Sequence, residues 1–323
     1  MPEQPAVEAH RLVKTFGDTL AIDDLSLRVE SGTVCGLLGR NGAGKTTLLR
    51  ILFGLLRPDS GSVRLLGRDA RPEDVPARDG VAGFVEEPAL YPYLSARRNL
   101  ELLARLDARR PANRVDEALE LVGLSAARDE KAGNFSTGMR QRLGLAAALV
   151  RAPRLMLLDE PTIGLDPAGA REVRGLVVEL AARGVTVFLS SHNMSEVDEI
   201  CESVVIVDHG RVVWEGTLQR LRAEAPAPVH RLETSDDELA FAIGRRNGQL
   251  ELDRDGDEWL TVRAEDEARD EFVVALGCEG VAVRHLEPAV PPLEALFAAL
   301  TAEADEITVT ERRPRANGRV LRA

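Results

Sequence analysis

Apolar and polar positions alternate through residues 7–30, around Gly17-Asp18. A period of two interrupted by a Gly–Asp pair predicts an antiparallel hairpin. The pattern then changes. Thr33–Leu38 (TVCGLL) is a short apolar run of buried-strand type that leads directly into a glycine-rich stretch. Lys45–Leu56 follows with helical spacing and stops at Arg57-Pro58-Asp59. Residues 95–133 carry two helical stretches, SARRNLELLARL and VDEALELVGL, separated by polar breaks. Apolar strands are predicted at Leu155–Leu158, Val185–Ser190 and Val204–Val207, with helices between them at Gly169–Arg183 and Ser195–Cys201. Alternating strands and helices imply an α/β core with a mostly parallel sheet and right-handed crossovers.

Ala223–Pro228 (AEAPAP) reads as a linker. Beyond it, residues 229–302 offer strands at His230–Glu233, Trp259–Arg263 and Val281–His285 and helices at Asp236–Arg245 and Glu265–Leu276. That predicts a small α+β accessory domain. From Glu303 the chain turns polar and then basic, and residues 303–323 are expected to form a disordered tail.

Composition narrows the function classes. The 323 residues suit two domains, and 44% apolar content is enough for two cores. A net charge of −12 disfavours nucleic acid as a generic partner. Cys35, Cys201 and Cys278 are odd in number, scattered, and form no C-x-x-C, which argues for a reducing compartment and against a disulfide framework or zinc site. The apolar run LGLAAALV (143–150) is far short of the roughly twenty residues a spanning helix needs. The N-terminus has no apolar segment of signal-peptide type. Action at a membrane would therefore go through a partner.

The candidate chemistry lies in three segments. Residues 39–46, GRNGAGKT, fit the phosphate-loop pattern G-x-x-x-x-G-K-[ST], and they stand between a strand and a helix as that motif requires. Gly39, Arg40, Asn41, Gly42, Ala43, Gly44, Lys45, Thr46 and Thr47 are the candidate phosphate-binding residues. The backbone amides cradle phosphate, Lys45 supplies a point charge, and the Thr46 hydroxyl ligates Mg²⁺. The strand Leu155–Leu158 ends in Asp159-Glu160. A carboxylate at a strand's C-terminal edge can hold Mg²⁺, and Glu160 next to it can act as general base on water. Ser136 has the chemistry of an N-cap ahead of the apolar helix that ends at Val150. Its hydroxyl and the following N–H groups make an anion site.

The phosphate loop, FSTGMRQR (135–142), LLDEP (157–161), GLDP (164–167) and a lone His192 after the next strand together resemble the ATP-binding cassette (ABC) ATPases. The resemblance covers about residues 7–220. It implies a P-loop NTPase core with an N-terminal antiparallel β subdomain and a helical insertion at about 88–135, residues 1–222 in all. It implies ATP and Mg²⁺ as cofactors and an ATP-dependent dimer, in which Ser136 and Gly138 of one cassette close over ATP held by another. It further implies that Asp166 couples the two sites, that His192 touches the γ-phosphate, and that Phe16 stacks on adenine. The implied activity is ATP hydrolysis by a subunit that powers export through a separate transmembrane permease, at the cytoplasmic face of the membrane. Pro291–Phe297 (PPLEALF) and the linker resemble the drug- and antibiotic-resistance exporter group. The other class weighed is a soluble non-transport ABC ATPase of translation or DNA-repair type. Its two-cassette chains and long coiled-coil insertions have no counterpart here.

This chain departs from the family pattern at four places. Glu86 stands where the family has a Gln that senses Mg²⁺, and it is expected as a third metal residue. Arg40 replaces a small residue or Pro. Thr137 replaces a Gly and Met139 a Gln of the signature.

Overall fold

The computed structural model describes residues 4–71, 79–106, 114–246, 250–255 and 259–311, with side chains undescribed at 106, 255 and 303–311. The chain divides into two compact units, 1–218 and 219–323.

The first unit opens with the expected hairpin. Strands β1 (Val7–Phe16) and β2 (Thr19–Val29) pair antiparallel, with Phe16 opposite Thr19 across the turn. Strands β4 (Ser60–Leu65) and β5 (Arg68–Asp69) complete a four-stranded sheet in the order β2-β1-β4-β5. The second sheet holds β3 (Val34–Leu38), β6 (Val81–Phe84), β7 (Leu155–Leu158), β8 (Thr186–Ser191), β9 (Ser203–Asp208) and β10 (Arg211–Thr217) in the order β10-β9-β3-β8-β7-β6. Its five strands from β9 to β6 are parallel, and only β10 is antiparallel. Every residue of β3, β7 and β8 is buried, as strands covered on both faces must be.

Helix α1 (Lys45–Phe53) follows β3 and buries Leu48, Leu49, Ile51 and Leu52 in the core shared by the two sheets. The helical insertion contributes α2 (Ala96–Leu106) and α3 (Arg114–Leu121), and α4 (Thr137–Leu149) follows it. Helix α5 (Pro167–Ala182) joins β7 to β8, and α6 (Met194–Ile200) joins β8 to β9. The sequence pattern missed β6 for a physical reason. Gly83 lies inside it at φ +142, and a Cβ there would fall 1.8 Å from the Leu157 carbonyl oxygen. A glycine that reads as a strand breaker is required by close approach of the neighbouring strand.

Helix α7 (Leu218–Glu224) covers the first two residues of the expected linker. Next come β11 (Val229–Thr234), α8 (Asp237–Gly244), β12 (Glu251–Asp255), β13 (Trp259–Arg263), α9 (Asp266–Cys278) and β14 (Val283–Val290). The four strands are antiparallel in the order β12-β13-β11-β14. A β-α-β-β-α-β chain with that strand order is a ferredoxin-like arrangement. Leu232, Leu260, Val262, Phe272 and Leu276 form its core. Helix α10 (Pro292–Glu311) continues past Glu303, where the tail was expected to begin; residues 312–323 lie outside the described residues. Among the described residues no helix is long and apolar enough to cross a membrane.

Candidate functional site

Because β9, β3, β8, β7 and β6 are parallel, their C-terminal ends lie along one edge of the sheet. The segments leaving that edge carry Gly39–Lys45 after β3, Glu86 after β6, Asp159-Glu160 after β7, and His192 after β8. Ligands in open α/β sheets bind at this edge. Sequence spacing alone could not bring these residues together; the parallel topology does.

The loop after β3 curls around its own lysine. Lys45 is 6% exposed, and its Nζ donates to Gly39 O at 2.7 Å and to Arg40 O at 3.4 Å. Gly44 sits at φ +102, and a Cβ there would meet the Ala21 carbonyl oxygen at 2.6 Å. The loop is also pinned from outside. Gly210 N donates to Ala43 O at 3.0 Å, and Gly210 O accepts from Asp23 N at 3.0 Å. Gly210 thus ties the loop to β2, a role with no motif signal in the sequence.

Three acidic and basic groups converge beside this loop. Glu160 Oε1 lies 3.3 Å from Lys45 Nζ, and Glu160 Oε2 lies 2.8 Å from His192 Nδ1. Glu160 takes φ +48, in the left-handed region a non-glycine residue seldom adopts. Such strain collects at functional positions. Asp159 is buried, and its Oδ1 accepts from Ser190 Oγ at 2.6 Å. Ser190 Oγ in turn accepts the Glu160 backbone N–H at 2.9 Å. Ser190 is fully buried in β8 and fixes both acids at once, yet nothing but its place at a strand end marked it in the sequence.

Glu86 is turned elsewhere. Its Oε1 pairs with Arg50 Nη2 of α1 at 2.5 Å, and its backbone is at φ +63. The carboxylate expected beside a metal is engaged by a guanidinium instead. The base of its loop does reach the acidic pair, since Asp159 N donates to Phe84 O at 3.2 Å.

Ser136 caps α4 by accepting from Met139 N at 3.2 Å, and Asp166 caps α5 by accepting from Gly169 N at 3.1 Å. The two helix N-termini are neighbours: a Cβ built on Gly138 would lie 3.9 Å from Leu165 Cδ2 and 4.0 Å from Gly169 Cα. The structure brings Ser136, Gly138 and Asp166 together. Among the described residues no hydrogen bond or ion pair joins them to Lys45, Asp159 or Glu160. Gly138 has a negative φ and only ordinary contacts around its missing Cβ, so its own subunit does not demand a glycine there. Phe16 is 47% exposed at the end of β1, with Lys14 Nζ 5.6 Å from its ring centroid.

These residues fit a nucleotide phosphate. A buried ammonium wrapped by backbone, at the N-terminus of α1, favours an anion. For a divalent cation the candidate donors at this edge would be the Thr46 hydroxyl and the Asp159 carboxylate. Among the described residues no cluster of three or more His, Cys, Asp or Glu side chains could hold a metal by itself. Two hard oxygen donors suit Mg²⁺ when phosphate oxygens supply the remaining ligands.

Comparison with known proteins agrees with this geometry. Residues 22–163 match the family described as ABC transporter. The daunorubicin/doxorubicin resistance ATP-binding protein DrrA of Streptomyces peucetius is 36% identical over 96% of this chain and 97% of its own length. The bacitracin transport ATP-binding protein BcrA of Bacillus licheniformis is 41% identical over 65% of this chain and 69% of its own. Among solved structures, a dimeric post-hydrolysis state of an ATP-binding cassette bound to ADP and Pi superimposes with a TM-score of 0.60 at 25% identity, covering 66% of this chain and 98% of that one.

Proposed function

The chain belongs to the ATP-binding proteins of the ABC transporter family, and we propose that its ATP hydrolysis powers export of a drug or antibiotic through a separate transmembrane subunit. The observation that carries the catalytic part is the contact of Glu160 with both Lys45 and His192, beside a buried Asp159.

Roles follow from the positions. Lys45 exchanges its backbone acceptors for the β- and γ-phosphates of ATP, and the amides of residues 39–47 surround them. Thr46 and Asp159 would hold Mg²⁺, which would supply charge neutralisation at the phosphates. Glu160 takes the proton of the attacking water as its oxygen bonds to the γ-phosphorus. The bond from the γ-phosphorus to the bridging oxygen breaks, ADP leaves with that electron pair, and the proton passes from Glu160 to solvent. His192 holds Glu160 in place and stands ready to donate to the γ-phosphate. Phe16 stacks on adenine.

Ser136 and Gly138 act in trans. In this reading the paired N-termini of α4 and α5 cover the phosphates bound by a second copy. The glycine at 138 supports that role, because a Cβ there would meet only ordinary contacts within its own subunit, which therefore gives no reason for a glycine. Asp166, capping α5 next to that surface, links the two sites of the dimer. The relatives' names, resistance and transport ATP-binding proteins, support a membrane partner at the inner face of the cell membrane over a non-transport ATPase.

Turnover and ATP binding in three proteins test the reading. Glu160→Gln should lose phosphate release by a factor of about a hundred or more and still bind ATP. Lys45→Ala should lose binding itself. Parental turnover in Glu160→Gln would contradict the assignment.

A further inference from the structure

Resting on the reading of this edge as the ATP site, we infer that Arg50 is a positioning residue for hydrolysis, which cancels the charge of Glu86 at the sheet edge that carries the phosphate loop and ties the phosphate-loop helix to the segment after β6.

Three observations carry this. First, Arg50 belongs to the helix that begins at Lys45, one and a half turns further on, and its guanidinium meets Glu86 at 2.5 Å. Second, the segment holding Glu86 starts from Phe84, whose carbonyl accepts the Asp159 N–H. An unpaired carboxylate two residues past that bond would add a third acid to the sheet edge that carries Asp159 and Glu160, an edge that must admit a polyanion. Like charges sharing one edge repel, and about 1 kcal/mol of repulsion already changes affinity about fivefold. Third, the same segment continues to Pro88, which lies against α4: a Cβ on Gly144 would fall 2.3 Å from Pro88 Cγ. Helix α4 is the one Ser136 caps. The Arg50–Glu86 pair therefore stands on a contiguous route from the phosphate loop to the Ser136 surface.

The pair also shows how the chain accommodates an acid at position 86, where its resemblance to the cassette ATPases leads one to expect a neutral amide. Glu86 and Arg50 together are electrically neutral. As an ion pair open to solvent it contributes little to folding. Its consequence is in the site.

A double-mutant cycle tests the inference with ATP as the probe. Binding is read from a fluorescent ATP analogue in chelator and in Mg²⁺, and kcat and KM from phosphate release, for the parent, Arg50→Gln, Glu86→Gln, the double variant and Arg50→Lys. Arg50→Gln should weaken ATP binding in chelator about fivefold and raise KM more than it lowers kcat. The double variant should recover parental affinity within about twofold, and Arg50→Lys should retain most of it. An equal loss from Arg50→Gln whether or not Glu86→Gln is also present, or no loss in either case, overturns the inference. Circular dichroism melting separates misfolding from both. Failure of the parent to bind or hydrolyse ATP would instead overturn the reading of the site, so the two failures are distinct.

Discussion

Lys45 Nζ and Glu160 Oε1 stand 3.3 Å apart, so the ammonium meant for phosphate and the carboxylate meant for water neutralise each other before nucleotide arrives. Lys45 is 6% and Glu160 18% exposed at the side chain, which leaves little solvent to screen the contact. ATP must compete for the ammonium. Glu160→Gln removes the competing charge, so ATP should bind about threefold more tightly to that variant than to the parent in nucleotide titrations without turnover. Weaker binding would show that Lys45 and Glu160 are not competing partners.

Ser190→Ala should expose how much Asp159 depends on a buried hydroxyl. It leaves Asp159 Oδ1 without its 2.6 Å donor and Glu160 N without its 2.9 Å acceptor. The expected cost is about 1–3 kcal/mol of stability by denaturant unfolding. The Mg²⁺ concentration needed for half-maximal turnover should also rise. Unchanged metal dependence would limit Ser190 to a packing role.

The cysteines should differ in reactivity. Burial pushes the Cys35 thiol up to about 12, and burial likewise raises Cys201. At pH 8 only about one Cys35 in ten thousand is then a thiolate, the reactive form. Cys278 is exposed. Iodoacetamide at pH 8 should label Cys278 alone in the folded protein and all three after denaturation, as read by mass spectrometry. Labelling of Cys35 in the folded protein would show that β3 opens.

The sequence made the catalytic edge legible because phosphate chemistry allows few solutions. A glycine turn, a lysine and a strand ending in Asp-Glu are dictated by local geometry, so residues 39–46 and 159–160 announce themselves. The hairpin and the buried strands followed from periodicity. Long-range partners were hidden. Ser190 and Gly210 act through β8 and the turn after β9, and neither belongs to a pattern that a linear reading could weigh. Glu86 was legible as a departure, but its partner was not. Arg50 sits on a helix face that any solvated charge could occupy, and only the fold sets it against Glu86. In the second unit, β12 escaped because all its residues but Leu252 (ELDRD) are charged. They lie on an edge strand where charge guards against unwanted pairing.

The central claim is that each chain holds half of a composite ATP site. Light scattering on Glu160→Gln with Mg²⁺ and ATP tests it most directly, because that variant should bind nucleotide and not consume it. A single chain is 35.1 kDa. The account predicts a mass of twice that value with ATP, a return to the single-chain mass when ATP is removed, and no dimer when Ser136→Arg is added to block the trans surface. A single-chain mass in saturating ATP, or a dimer indifferent to both ATP and Ser136→Arg, would contradict it.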